Sequence, residues 1–498
     1  MATEDVELND TQTLDAGLSE SSIISRVPPE VLIEIFLEAL AKSHSRRSDF
    51  TLTLLLVSKR WRRIIIGTPD IWATIYSSNP VEIQASMTYA GSVPLTIQAE
   101  HLLPNKDEPL TTIFGAFSRV HSLTLCAHRE DTKIGGFEEM WTSPAPQLEE
   151  ILTTGIVLPR SLFAGSAPRL RTFSLYLGSG DWNTFPVCPQ LESLEIIAPD
   201  TIISITTLLN KLRRMSRLTK LVIEKALDNS NPPGGRIELP KLQELCLIDD
   251  HTECTIMLLN HLTIPADTRL ELSMDCEEEM TPSIATIEAL RRCRKDASWD
   301  LQSLSVVTNE REPTSLVMTF PAEGNISGED KPHEIIFDAI PHPFIGVKDI
   351  FQHLGLSYLR SLDLDGAAVG YHELSFRRSM SPMGQSFWTF VATLPYLESL
   401  SVRNIFALDF VAYWIYDEAF SDGTKKPFES LLHLVYDESY QDIAPDLNGL
   451  VVTVEYLTHY GPHLAGLTVI SAVALEEHTV EGLKALPVQT VQVVIRTQ

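Results

Sequence analysis

The sequence contains little that would mark chemistry. Its six cysteines, Cys126, Cys188, Cys246, Cys254, Cys276 and Cys293, include no CxxC pair. That excludes a zinc knuckle and a disulfide framework and suits a reducing compartment. No stretch reaches the eighteen or more uncharged apolar residues of a membrane helix. The opening MATEDVELNDTQTLDAGLSE is acidic where a secretory signal would be basic and then apolar. The expected location is therefore cytoplasmic or nuclear, with no membrane partner. There is no GxSxG elbow, since GQSFW lacks the second glycine, and no GxxxxGK[ST] phosphate loop. His333 and His372 open HEI and HEL without reaching HExxH. His251, Glu253 and Cys254 read as surface residues of one loop, and CEEEM at 276–280 as a solvated run. The chain is expected not to be an enzyme and to need no metal or cofactor.

Positive charge is scarce as well, and unevenly spread. The net charge of the 498 residues is −27. Residues 1–22 carry six acids and no base, residues 23–76 eight bases against five acids, and the remainder is left at −24. One small basic module in an acidic chain excludes nucleic acid as the main partner, because phosphate binding needs a broad basic face. The acidic, aromatic-free arm at 1–22 is predicted to be disordered. With 44% hydrophobic residues, the rest can bury a large core.

What is present begins with SRVPPEVLIEIFLEALAK. Pro28 and Pro29 preset a helix start and Glu30 complements its dipole. Val31, Leu32, Ile35, Phe36 and Ala39 then recur at helical spacing. KSHSRRSD reads as a loop, and LLLVSKRWRRIII as a second helix with Leu54, Val57, Trp61 and Ile65 on one stripe, ended by Thr68-Pro69. Some fifty residues are too few for a generous core, so part of this apolar surface should serve a partner. The blocks VPPEVLIEIF, VSKRWRRI and TPDIW, in this order over residues 23–76, resemble the F-box of fungal F-box proteins. The resemblance implies docking on a Skp-type adaptor and, through it, a cullin. The positions it marks are Pro28, Pro29, Leu32, Ile35, Phe36, Val57, Trp61 and Trp72, which either contact the adaptor or hold the module's shape. The basic residues suit an acidic partner.

Residues 77–498 carry a second signal, the pattern apolar-x-x-apolar-x-apolar. It appears as VHSLTL (120–125), LRTFSL (170–175), LESLEI (191–196), LTKLVI (218–223), LQELCL (242–247), LQSLSV (301–306), LRSLDL (359–364), LESLSV (397–402), LAGLTV (464–469) and VQTVQV (488–493). Weaker copies lie at Leu148, Leu270 and Leu431. Period-two alternation makes each copy a short strand, and TIISITTLLNKLRRMS, SIATIEALRRCRKD and QSFWTFVATL between copies read as helices. Units that cannot bury their apolar face alone must stack. The predicted fold class is α/β: a small all-helical F-box module followed by an irregular leucine-rich-repeat solenoid, parallel strands inside and helices outside. The gap at 307–358 is predicted to hold a degenerate repeat or a loop insertion.

The residues flanking each middle apolar position then face a concave surface: Thr172 and Ser174, Ser193 and Glu195, Lys220 and Val222, Glu244 and Cys246, Ser303 and Ser305, Ser361 and Asp363, Ser399 and Ser401. This surface is small in side-chain size and weakly acidic, so the expected target protein is basic or neutral. The functional expectation is the substrate-recognition subunit of an SCF-type (Skp-cullin-F-box) ubiquitin ligase. The alternative is a leucine-rich-repeat scaffold in which the F-box-like hairpin only caps the solenoid.

Overall fold

The computed structural model of the protein describes residues 23–42, 47–76, 79–102, 115–127, 143–158, 162–180, 188–199, 201–228, 234–249, 252–266, 268–275, 281–294, 303–308, 316–320, 333–338, 356–366, 382–404, 427–437, 447–460, 464–471 and 477–495, with isolated positions between some of these. The acidic arm, His251 and the CEEEM run lie outside the described residues. The chain forms two compact units, residues 1–170 with 184–186 and residues 171–183 with 187–498. Residues 23–76 thus share a unit with residues 77–170.

The first unit opens with helices α1 (Pro29–Lys42), α2 (Arg47–Val57), α3 (Lys59–Ile66) and α4 (Pro69–Trp72). In α1 only Leu32, Phe36 and Leu40, four residues apart, turn into the core. The single helix predicted across Leu54–Ile65 is in fact two. Ser58 leaves helical geometry (φ −160°, ψ 160°) and its hydroxyl accepts a hydrogen bond from the Trp61 N–H at 3.1 Å, so a serine N-cap divides the run. Next come β1 (Thr74–Tyr76), α5 (Pro80–Tyr89), β2 (Leu95–Leu102), β3 (Val120–Ala127) and β4 (Glu150–Thr154). Each strand pairs in parallel with the one before it.

In the second unit β5 (Thr172–Tyr176), β6 (Ser193–Ile197), β7 (Lys220–Glu224), β8 (Glu244–Asp249) and β9 (Arg269–Asp275) pair in parallel in chain order. Register places Phe173, Leu194, Leu221, Leu245 and Leu270 in one row, and Leu175, Ile196, Ile223, Leu247 and Leu272 in the next. None of the ten is more than 2% exposed, and each contributes on the order of 1.5–3 kcal/mol by leaving water. Strands β5, β6 and β7 end in the same corner. Leu177, Ala198 and Lys225 adopt left-handed φ of 49°, 44° and 48°, and their N–H groups donate to the carbonyls of Ile197, Glu224 and Ile248 on the next strand at 2.9, 2.8 and 2.7 Å.

Helices α6 (Ile205–Leu212), α7 (Thr252–His261) and α8 (Thr281–Cys293) fall between strands. Helix α7 corrects the predicted surface loop around Glu253 and Cys254. Cys254, Thr255, Leu258 and Leu259 are buried at helical spacing, and the Cys254 thiol points to the Leu227 carbonyl at 3.8 Å.

A second parallel series contains β10 (Ser303–Thr308), then, further along the chain, β13 (Ser361–Gly366), β14 (Ser399–Asn404), β15 (His433–Asp437), β16 (Gly466–Ser471) and β17 (Thr490–Ile495). Leu304, Leu362, Leu400, Leu434 and Leu467 form its buried row. Between β10 and β13 in sequence lie β11 (Leu316–Phe320) and β12 (His333–Asp338). Strand β12 pairs in parallel with β9, and β11 is antiparallel to both β12 and β10. The 307–358 gap therefore supplies two strands that wedge between β9 and β10, where the sequence predicts a degenerate repeat or a loop. Helices α9 (Pro382–Ala392), α10 (Leu447–Tyr460) and α11 (Glu477–Lys484) lie between the later strands. The fold is mixed α/β with mostly parallel strands. Among the described residues no helix is long and apolar enough to cross a membrane.

Candidate functional site

The eight side chains marked on the helical module divide into two groups. Leu32, Phe36 and Trp72 are buried, at 3%, 2% and 8% exposure, and Trp61 is half-buried. The Phe36 ring packs 4.7 Å from Trp61, and Trp72 packs 4.7 Å from Tyr89. The Trp72 indole N–H donates to the Ile65 carbonyl at 2.8 Å. These four hold the module's shape. Pro28, Pro29, Ile35 and Val57 are exposed, Ile35 and Val57 by more than half. Val31, Leu52 and Leu56 are exposed too, at 43%, 52% and 76%. Val31 with Ile35, and Leu52 with Leu56, are four apart and so share a helix face. Leu52 precedes the run that reads as a second helix and Leu56 lies off its stripe, and that stripe mixes two faces: Leu54 and Ile65 are buried while Val57 is exposed.

Two bases of the KRWRR run bond to backbone. The Arg60 guanidinium donates to the carbonyls of Ile24, at 3.0 Å, and Val27, tying the proline turn to α3. Arg62 donates to the Leu55 carbonyl at 3.0 Å, bridging the break at Ser58. Charge-assisted bonds to backbone carbonyls give these arginines a structural task.

In the second unit, the sheet face opposite the leucine rows carries the other marked residues. Thr172, Ser193, Lys220, Glu244 and Arg269 form one row in register, and Ser174, Glu195, Val222, Cys246 and Glu271 the next. Ser174, Val222 and Cys246 are buried. Glu195 is the hub. It accepts from the Tyr176 hydroxyl at 2.6 Å and the Ser174 hydroxyl at 3.2 Å, and Lys220 Nζ lies 2.7 Å away. Burial by itself raises the Glu195 carboxyl, but the bonds from Lys220, Tyr176 and Ser174 outweigh it and hold the group below the usual range. Its partners move the other way. Burial and then Glu195 push the Tyr176 hydroxyl up to about 12, and Glu195 raises Lys220. Arg269 bridges Glu244 at 2.9 Å and Glu271 at 3.1 Å. Burial, and then Glu271, Glu244 and Glu224, push the Cys246 thiol up to about 12, so it is no nucleophile at neutral pH.

On the later strands Ser303, Ser361 and Ser399 align with His433 and Gly466, and Ser305, Asp363 and Ser401 form the adjacent row. Arg403 ties this face together, 3.4 Å from Asp363, 3.8 Å from Asp365 and 3.2 Å from the Ser401 hydroxyl. At Gly466 a Cβ would lie 2.9 Å from the His433 ring nitrogen, so the glycine makes room for the neighbouring imidazole.

Tyr176, Glu224, Arg269, Glu271, Asp365 and Arg403 belong to these faces and were missed from sequence. Continuing the alternation two residues past the second flanking residue of each copy finds Tyr176, Glu224, Asp365 and Arg403; expanding the weak copy at Leu270 finds Arg269 and Glu271. No protein-family model matches the chain, and no curated protein matches it either.

Proposed function

We propose that the chain is the substrate-recognition subunit of an SCF-type ubiquitin ligase, in which residues 23–76 act as an F-box and the parallel strands form an irregular leucine-rich-repeat solenoid that holds a target protein. The observation that carries this reading is the outward aliphatic surface of the helical module. Val31, Ile35, Leu52, Leu56 and Val57 stay exposed although Leu32, Phe36, Trp61 and Trp72 supply the module with its own small core. Exposed aliphatic side chains grouped on short helices suit a partner surface. A Skp-type adaptor is the partner that the motif order implies. In this scheme the catalytic groups belong to other subunits, and the chain's contribution is to raise the local concentration of a target lysine.

The test is capture of a purified Skp-type adaptor by the full chain and by the double variant Ile35→Ala, Val57→Ala. Adaptor binding should fall at least tenfold, with the melting temperature unchanged, since buried interface side chains near a patch centre are worth about 2 kcal/mol or more. Undiminished capture would overturn the adaptor reading. The capping alternative has one observation in its favour: the module runs directly into β1, in the same compact unit as β2 to β4. On that reading the same double variant changes neither capture nor stability.

A further inference from the structure

Across β5 to β9 the polar face neutralises most of its own charge. Lys220 is taken by Glu195, and Arg269 by Glu244 and Glu271. Glu224 is the exception. It ends β7 half-buried, and its carboxylate makes no hydrogen bond or ion pair among the described residues. Its partners in register are Ile197 on β6 and Ile248 on β8, both half-buried. Two residues back along the strands, the same face presents Val222 and Cys246, both buried. With neighbouring strands about 4.8 Å apart, Glu224 is an unpaired carboxylate between two isoleucines, diagonal to the Glu195 hub and near enough to Tyr176 and Cys246 to raise both. Such a group loses hydration and gains nothing from the fold in return. A valine there would extend the isoleucine row and favour the strand. Local rules broken without a compensating contact point to function.

We infer that this patch receives one cationic side chain of the target, a lysine or arginine whose head group pairs with Glu224 and whose methylene stem lies across Ile197, Val222 and Ile248. The chemistry matches on both counts. Long basic side chains lay an apolar stem on apolar surface and keep the charge at its end, and a carboxylate partly shielded from water forms a stronger charged pair than an exposed one. The chain's net charge of −27 draws basic segments toward the face before contact. The inference rests on the reading of this face as the target surface and narrows it to one chemistry.

The test screens the full chain against immobilised short peptides of random sequence, then measures the best binders by fluorescence anisotropy. Each is compared with a copy in which its lysine or arginine is replaced by norleucine or citrulline. Binders should be enriched in a basic residue beside an aliphatic one. Neutral copies should bind about tenfold more weakly, the size of one charge-assisted bond. Glu224→Gln should lose that factor for the basic peptide and nothing for its neutral copy, which isolates the pair. Glu224→Val should raise the melting temperature while weakening the basic peptide. Absence of binders, equal affinity for basic and neutral copies, or a lower melting temperature for Glu224→Val would overturn the inference. Adaptor capture by Glu224→Gln should equal that of wild type. If the wild-type chain captures no adaptor, the ligase proposal fails, whereas a surviving coupling between Glu224 and the basic residue leaves this patch standing.

Discussion

Helices α1 to α4 and strands β5 to β9 draw on the same aliphatic residues and treat them in opposite ways. In the strands, Leu194, Leu221 and Leu245 meet counterparts on both neighbours, Phe173 and Leu270 close the row at its ends, and all five vanish from solvent. In the helices, Leu32 and Phe36 are closed off while Val31 and Ile35, one residue away from each, stay open. The difference comes from what each element packs against. A strand has two neighbours and a covered face, so alternation alone decides burial. A short helix in a module of about fifty residues has too few neighbours to cover a wide stripe. Apolar periodicity therefore reports which residues share a face, and the number of packing partners determines whether that face is core or surface.

The largest expected effect tests the strand side. Leu221→Ala, between Leu194 and Leu245, removes a side chain with 0% exposure and should cost about 2–5 kcal/mol in denaturant unfolding. A loss below 1 kcal/mol would mean that the row can collapse around the gap. On the helical side, Phe36→Ala should cost about 3 kcal/mol through the lost packing on Trp61. Ile35→Ala, one residue earlier, should stay within about 0.5 kcal/mol. Equal costs at the two positions would erase the contrast between inward and outward faces.

Acid should then expose the polar hub. Because Glu195 is held below its ordinary range by Lys220, Tyr176 and Ser174, its contribution is complete above the carboxylate range of the unfolded chain and is lost as pH falls through the lower folded value. Lys220, raised by Glu195, behaves in the opposite sense and gives up its share only as pH climbs through its folded value. Denaturant midpoints followed from neutral to acidic pH should fall less steeply in Glu195→Gln than in wild type; parallel curves would show that the hub is electrostatically silent. The smallest effect is at a corner. Lys225 is exposed at φ 48°, so Lys225→Gly relieves left-handed strain and should gain about 0.5 kcal/mol after glycine's own entropic cost. A clear loss would mean that the lysine side chain supports the turn.

The strand rows were legible in the sequence because alternation and burial obey the same rule: all thirteen hexapeptide copies, strong and weak, fall on parallel strands. The division of α1 was not legible, since Leu32 and Ile35 are equivalent in spacing and differ only in what lies beside them. Ser58 did carry a signal, a serine three residues before Trp61 in a run otherwise readable as continuous helix. The neutralisation of Lys220 by Glu195 and of Arg269 by Glu244 joins residues 25 apart, and only register brings such pairs together. Strands β11 and β12 were illegible for the same reason, because antiparallel return and insertion beside β9 are choices of distant pairing rather than of local composition.

That insertion has a consequence in time. Strands β5 to β9 can zip together in the order the chain is made, each finding its partner within a few tens of residues. Strand β10 cannot simply continue, because its place beside β9 is occupied through β11 by β12, which is made later. Growth of the sheet must pause at β9 until residue 338 is available, and only then can β13 to β17 be added in sequence. Closing a loop before its contacts form slows folding, and unpaired strand edges left waiting are prone to the wrong partner. The edge of β9 is thus the one in this series whose neighbour is made out of turn.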